Sequence, residues 1–150
     1  MSVDLSMTTV PQLKFLLVDD HEEMSLAYKA VLEPYGHQVE IAANGERALE
    51  ILTSGYEPTF ILVDYRMPKM SGMDLVHLVK ERHPKLNPDQ MVIFTSFSTD
   101  APELTKVKSS GVRVFQKPDD LGGFLNFINQ LVLLPNTKAK PLRESPFGVT

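Results

Sequence analysis

Apolar residues in this chain fall into five short runs, each followed by a longer stretch in which they recur at helical spacing. The runs are Lys14–Val18 (KFLLV), Gln38–Ala43 (QVEIAA), Thr59–Val63 (TFILV), Met91–Phe94 (MVIF) and Val112–Phe115. Continuous apolar runs of this length read as strands buried on both faces. The intervening spacing predicts helices. The first covers about Glu22 to Glu33, with Met24, Ala27, Tyr28 and Val31 turned inward and Pro34 and Gly36 ending it. Asn44 caps a second through about Leu52, and Ser71 caps a third to about Arg82, with Asp74 in its first turn. The proline-containing segment His83–Gln90 is a loop. Asp100, Pro102 and Glu103 offer an N-cap, an early proline and a reciprocal acid for a fourth helix, closed by Gly111. Asp119 or Asp120 caps the last, whose apolar stripe is Leu121, Phe124, Leu125, Ile128 and Leu131.

Strands alternating with helices at this spacing imply right-handed βαβ units. The expected fold is α/β, a doubly wound five-stranded parallel sheet with helices on both faces. One domain, residues 12–134, accounts for the pattern. Residues 1–11 and 135–150 are polar or proline-containing and are expected to be loose tails. Nothing remains for a second domain.

Composition narrows the function classes. At 43% hydrophobic, the 150 residues can build a real core. The net charge of −4 argues against non-specific binding to nucleic acid or an anionic membrane. The absence of cysteine excludes disulfides and thiolate zinc sites and suits a reducing, cytoplasmic setting. The first residues (MSVDLSMTTVPQ) lack the marks of a secretory signal, and no apolar run reaches the roughly eighteen residues of a membrane span. None of the glycines forms G-x-G-x-x-G or a P-loop, which disfavours nucleotide enzymes.

In open α/β sheets, ligands bind beyond the carboxyl ends of the strands. The first predicted strand ends in Asp19 and Asp20, the third in Asp64, the fourth in Thr95 and Ser96, and the fifth in Gln116, Lys117 and Pro118. With a strand order of 2-1-3-4-5, the first and third strands are neighbours and the three carboxylates meet. Such crowding requires a counter-charge. An oxygen-only cluster selects Mg2+, with Mn2+ as an alternative. The metal would bridge the acids and a phosphoryl oxygen, with Lys117 and the Thr95 hydroxyl on the remaining oxygens. Attack on phosphorus by Asp64 would then give an acyl phosphate.

These residues carry a resemblance. The segment Val18-Asp19-Asp20, Val63-Asp64-Tyr65-Arg66-Met67-Pro68 with Gly72, Thr95, and Lys117-Pro118 together resemble the response regulator receiver family over about residues 12–134. The resemblance implies a flavodoxin-like fold of the chemotaxis-receiver type with a cis Lys117–Pro118 bond. It also implies phosphorylation of Asp64 by a histidine kinase or histidine phosphotransfer protein. By the same resemblance, Asp20, Asp64 and the main-chain carbonyl of Arg66 bind Mg2+, Asp19 assists, and Thr95 and Lys117 hold the phosphoryl group. The expected function is a phosphorelay switch without an output domain of its own, catalysing only its own phosphorylation and dephosphorylation. It would signal through an altered surface to a downstream protein or second phosphotransfer protein, as a monomer or weak activation-dependent dimer. The alternatives are a pseudo-receiver that is never phosphorylated, and a receiver excised from a longer regulator. An aspartate-nucleophile phosphohydrolase would carry an acid two residues beyond the nucleophile, where Arg66 stands.

Two positions depart from the family pattern. Val114 stands where an aromatic switch residue is common, with Phe115 beside it on the opposite strand face. Ser96 replaces the usual Ala or Gly, crowding the approach. Lys106, Lys108 and Arg113 read as a solvated face, with partner docking as the alternative. Pro68 and Gly72 read as devices that shape a loop. His21, His37, His77 and His83 lack metal-ligand spacing and read as surface or packing residues, although His21 adjoins the acidic pair.

Overall fold

The computed structural model describes residues 12–133 apart from Phe97 and Thr99. The expected tails at 1–11 and 135–150 lie outside the described residues. Five strands, β1 (Lys14–Val18), β2 (Gln38–Ala42), β3 (Phe60–Val63), β4 (Met91–Thr95) and β5 (Arg113–Gln116), alternate with five helices. These are α1 (Glu22–Leu32), α2 (Gly45–Thr53), α3 (Gly72–Arg82), α4 (Thr105–Ser109) and α5 (Leu121–Val132). All pairings are parallel, in the order β2-β1-β3-β4-β5. The order reverses between β1 and β3, which opens a cleft where their carboxyl ends emerge.

The uninterrupted apolar runs supply both faces of the sheet at once. Leu16, Val18, Ile61, Val63 and Ile93 bury against residues of α2, α3 and α4. Their neighbours Phe15, Leu17, Phe60, Leu62, Val92 and Phe94 bury against α1 and α5. This explains why each run lacks polar alternation. Capping follows the sequence signals at three helices. The Asn44 side chain accepts from Arg47 N at 2.8 Å. Ser71 and Asp74 form a reciprocal capping box, with bonds of 3.1 and 3.2 Å. Asp120, rather than Asp119, caps α5 by accepting from Gly123 N at 2.7 Å.

Three expectations fail in detail. The inner face of α1 is Ser25, Tyr28 and Leu32, while Met24 is 43% exposed. Helix α1 packs against α5 as well as the sheet, and the Tyr28 ring stacks on Phe124 at 3.8 Å, which rotates Tyr28 to the centre of the stripe. The buried face of α5 is Phe124, Phe127, Ile128, Leu131 and Val132, and Leu121 lies exposed in the first turn, beside the Asp120 cap. Asp100 does not cap the fourth helix. Ala101 holds the cap position without a side-chain bond, the chain makes a 3-10 turn over Pro102–Leu104, and only five α-helical residues follow. Pro102 lacks an N–H, and only Leu104 and Val107 anchor the segment inward. Gly111 ends it at φ +89°, a conformation suited to glycine.

Candidate functional site

The parallel register sets the positions of the acids. Val18 of β1 pairs with Val63 of β3, so the next residues, Asp19 and Asp64, leave the sheet at the same level. Asp64 N donates to Val18 O at 2.9 Å and Asp19 N to Ala42 O at 3.1 Å, which fixes both backbones. Both aspartates are buried, whereas Asp20 is exposed. On β5, Gln116 pairs with Thr95, and Lys117 N donates to the Thr95 carbonyl at 2.6 Å. Lys117 thereby reaches across the cleft, its Nζ lying 2.6 Å from Asp19 Oδ2 and 3.7 Å from Asp64 Oδ1. The implied cis Lys117–Pro118 bond is absent, since no described peptide bond is cis. The trans form is the ordinary preference of an X-Pro bond, and in it the lysine still meets both acids.

Electrostatics follow from this crowding. Burial is the main cause that pushes the Asp64 carboxyl up to about 6, Lys117 opposes it, and Asp19 and Asp20 add to it. Burial and then the Asp19 charge push the Tyr28 hydroxyl up to about 12. Donor atoms of Asp19, Asp20, His21 and Asp64 all lie within 4.8 Å of one another. Three hard carboxylates at this spacing fit a small divalent cation such as Mg2+ or Mn2+.

Thr95 is almost fully buried at the end of β4, and Ser96 beside it is exposed. Arg66 lies two residues beyond Asp64 with its side chain exposed. Val114 is half-buried against the α2–α4 cluster, whereas Phe115 lies on the other face, its ring 5.0 Å from Phe127. Lys106 is exposed on α4, and Arg113 begins β5, at the opposite end of the strand from Lys117. Those two do not join the acids. A cavity of about 610 Å3 lined by Tyr56, Pro58, His83 and Gln90 also lies elsewhere, where β3 and β4 begin.

Two contacts escaped the sequence reading. His21 Nδ1 lies 3.0 Å from Asp19 Oδ1 and 3.3 Å from Asp20 Oδ1, and the hydrogen bond to Asp19, followed by the charges of Asp19 and Asp20, raises its pKa. The only signal in the sequence was its adjacency to the acidic pair. The Tyr65 hydroxyl donates to Glu103 O at 3.2 Å, joining the loop after Asp64 to the turn before α4. No periodicity encodes that contact.

The loop after β3 is shaped by backbone. Met70 N donates to Pro68 O at 2.7 Å around Lys69, whose φ is +70°, a strained γ-turn. Gly72 N then donates to Tyr65 O at 2.8 Å. A Cβ at Gly72 would stand 2.5 Å from Asp64 O and 3.1 Å from the Tyr65 Cα. Gly72→Ala is therefore expected to cost about 1–3 kcal/mol and to displace Asp64. Urea unfolding checks the first effect and amide chemical shifts at residues 64 and 65 the second. A fully stable variant with unmoved resonances would contradict this account of the glycine.

Residues 15–128 match the family model described as the response regulator receiver domain. The chain is 38% identical over 68 residues to the luminescence regulatory protein LuxO of Vibrio campbellii, covering 45% of this chain and 15% of LuxO. It is 33% identical over 87 residues to the aerobic respiration control sensor protein ArcB of Escherichia coli, covering 58% of this chain and 11% of ArcB. The chain thus spans a small part of the length of these relatives. Among solved structures it superposes on the chemotaxis response regulator CheY4 of Vibrio cholerae with a TM-score of 0.67 at 26% identity, covering 81% of this chain and 99% of that one. It superposes on the response regulator TrrA of Thermotoga maritima, solved in complex with Mg2+ and BeF, with a TM-score of 0.64. At 20% identity, over 80% of this chain and 99% of TrrA, that match speaks to the fold alone.

Proposed function

The chain belongs to the response regulator receiver domain family, and from that premise we propose that it is a phosphorylatable switch whose acceptor is Asp64. One observation carries the reading above the others. Lys117 from β5, Asp19 from β1 and Asp64 from β3 converge on one rim, with the lysine within 2.6 and 3.7 Å of the two acids. An ammonium so placed can neutralise phosphoryl oxygens as charge gathers on them.

In the proposed reaction a carboxylate oxygen of Asp64 attacks phosphorus in line. A P–O bond forms while the P–N bond to the donor histidine breaks, and the electron pair leaves with the donor's imidazole nitrogen. Lys117 pairs with one phosphoryl oxygen and the Thr95 hydroxyl bonds another. Asp19, Asp20, Asp64 and the Arg66 carbonyl would hold Mg2+, which supplies charge neutralisation at the acids and at a phosphoryl oxygen. The donor is a histidine kinase or histidine phosphotransfer protein, and the recipient of the signal is a protein. A cytoplasmic setting suits the cysteine-free composition, and no described helix is long and apolar enough to cross a membrane.

Output without an aromatic at position 114 is supported by the Tyr65–Glu103 bond, which ties the phosphoacceptor loop to the segment before α4. The state change can be no larger than the difference in phosphoryl binding between the two conformations. Beryllium fluoride with Mg2+ is expected to shift amide resonances in the loop after β3, in α4 and in β5. An unchanged spectrum under saturating Mg2+ and fluoride would favour a pseudo-receiver.

A further inference from the structure

We propose that His21 is itself a metal ligand. Its imidazole would add nitrogen to the carboxylates of Asp19, Asp20 and Asp64, so that the site ranks Mn2+ and Co2+ well ahead of Mg2+. This inference rests on the reading of the cluster as the metal site of the phosphoacceptor.

The geometry points this way from three sides. Two donors at about 2.1 Å from one octahedral ion stand roughly 3.0 Å apart when adjacent and 4.2 Å apart when opposite. His21 Nδ1 lies 3.0 Å from Asp19 Oδ1 and 3.3 Å from Asp20 Oδ1, the spacing of adjacent ligands. The whole set fits within 4.8 Å, slightly wider than the opposite-ligand distance. Next, the backbone aims the ring. His21 N donates to Asp19 Oδ1 at 2.9 Å, and with φ −89° and ψ 89° the residue occupies the N-cap of α1 without making a side-chain cap bond. The imidazole folds back over the acids instead. Finally, Lys117 holds Asp19 Oδ2 at 2.6 Å and leaves Oδ1 facing His21, so one carboxylate can meet the lysine through one oxygen and share a metal with His21 through the other.

The chemical consequence is selectivity. Mg2+ binds oxygen and parts reluctantly with its waters, whereas imidazole suits first-row transition ions. A set of three carboxylates and one imidazole therefore favours the latter. His21 is 70% exposed at the side chain, so its replacement leaves the fold intact and the metal retains a path inward.

The test uses Mn2+ alone. Electron spin-echo modulation of the Mn2+-loaded protein is expected to show directly bound nitrogen, which disappears in His21→Gln while Mn2+ remains bound. Titration calorimetry is expected to show Mn2+ affinity falling about tenfold in that variant, with Mg2+ affinity changed less than twofold. Mn2+ bound with an oxygen-only spectrum in the wild type would overturn the proposal and leave the phosphoacceptor reading standing. A wild type that binds neither Mn2+ nor Mg2+ at millimolar concentration would overturn both.

Discussion

Asp64→Asn is expected to abolish phosphoryl uptake from acetyl phosphate and Mg2+, lowering the rate by more than about a thousandfold against wild type, as replacement of a covalent nucleophile does. Three carboxylates and two hydroxyls stand at the strand ends, so the claim singles out one side chain of five. Asp20 is exposed, and Asp19 is already engaged with Lys117 at 2.6 Å. Asp64 lies between the acidic pair and the Thr95–Lys117 side, with Lys117 at 3.7 Å, close enough to receive the charge of an attached group. Its backbone is fixed to β1, so its carboxylate starts from one place. The asparagine amide keeps the shape and lacks the anionic oxygen. Phosphoprotein gel-shift and intact mass read the outcome directly. Equal labelling of the asparagine variant would move the acceptor to another residue.

The same variant is expected to be more stable than wild type when metal is chelated, by up to about 3 kcal/mol near neutral pH. The sign follows from the carboxyl, whose folded-state pKa of about 6 stands above its ordinary value of 3.8. The folded state therefore holds a proton that the unfolded chain releases. Below the ordinary value both states are protonated and Asp64 costs nothing. As pH rises through the window to about 6, wild-type stability falls, and above it the full penalty remains. The advantage of asparagine should accordingly be small near pH 4 and largest above pH 6. Added Mg2+ should reverse it, by stabilising only the wild type. Urea melts at both pH values, with and without chelator, measure all four quantities. Equal stability at pH 7 in chelator would show that burial does not penalise the Asp64 charge.

The residues that meet at the rim were legible because a parallel sheet leaves so little freedom. Once Lys14–Val18 and Phe60–Val63 are neighbouring strands, Asp19 and Asp64 must leave the sheet together. Lys117 follows from the position of β5 beside β4. What escaped depends on torsions and packing that no residue pattern records. The direction of His21 is set by one pair of backbone angles, and the Tyr65–Glu103 bond joins residues 38 apart in sequence. The rotation of α1 reflects the aromatic stack on α5, an interhelical choice invisible to a single helical stripe. The trans bond at Pro118 departs from what the family resemblance alone had supplied.

The brevity of α4 sets an energy scale. Five α-helical residues cannot sustain a helix by themselves, so the segment's order derives from its contacts: the inward side chains Leu104 and Val107, each contributing roughly 1.5–3 kcal/mol of burial, and the Tyr65–Glu103 bond. Both side chains belong to the cluster on the α2–α4 face of the sheet, whereas the cluster on the α1–α5 face does not include them. A gap of that size is comparable to what one or two charge-assisted hydrogen bonds contribute. A shift of this segment would therefore lie within reach of events at a single oxygen atom, leaving the α1–α5 side of the sheet as it is.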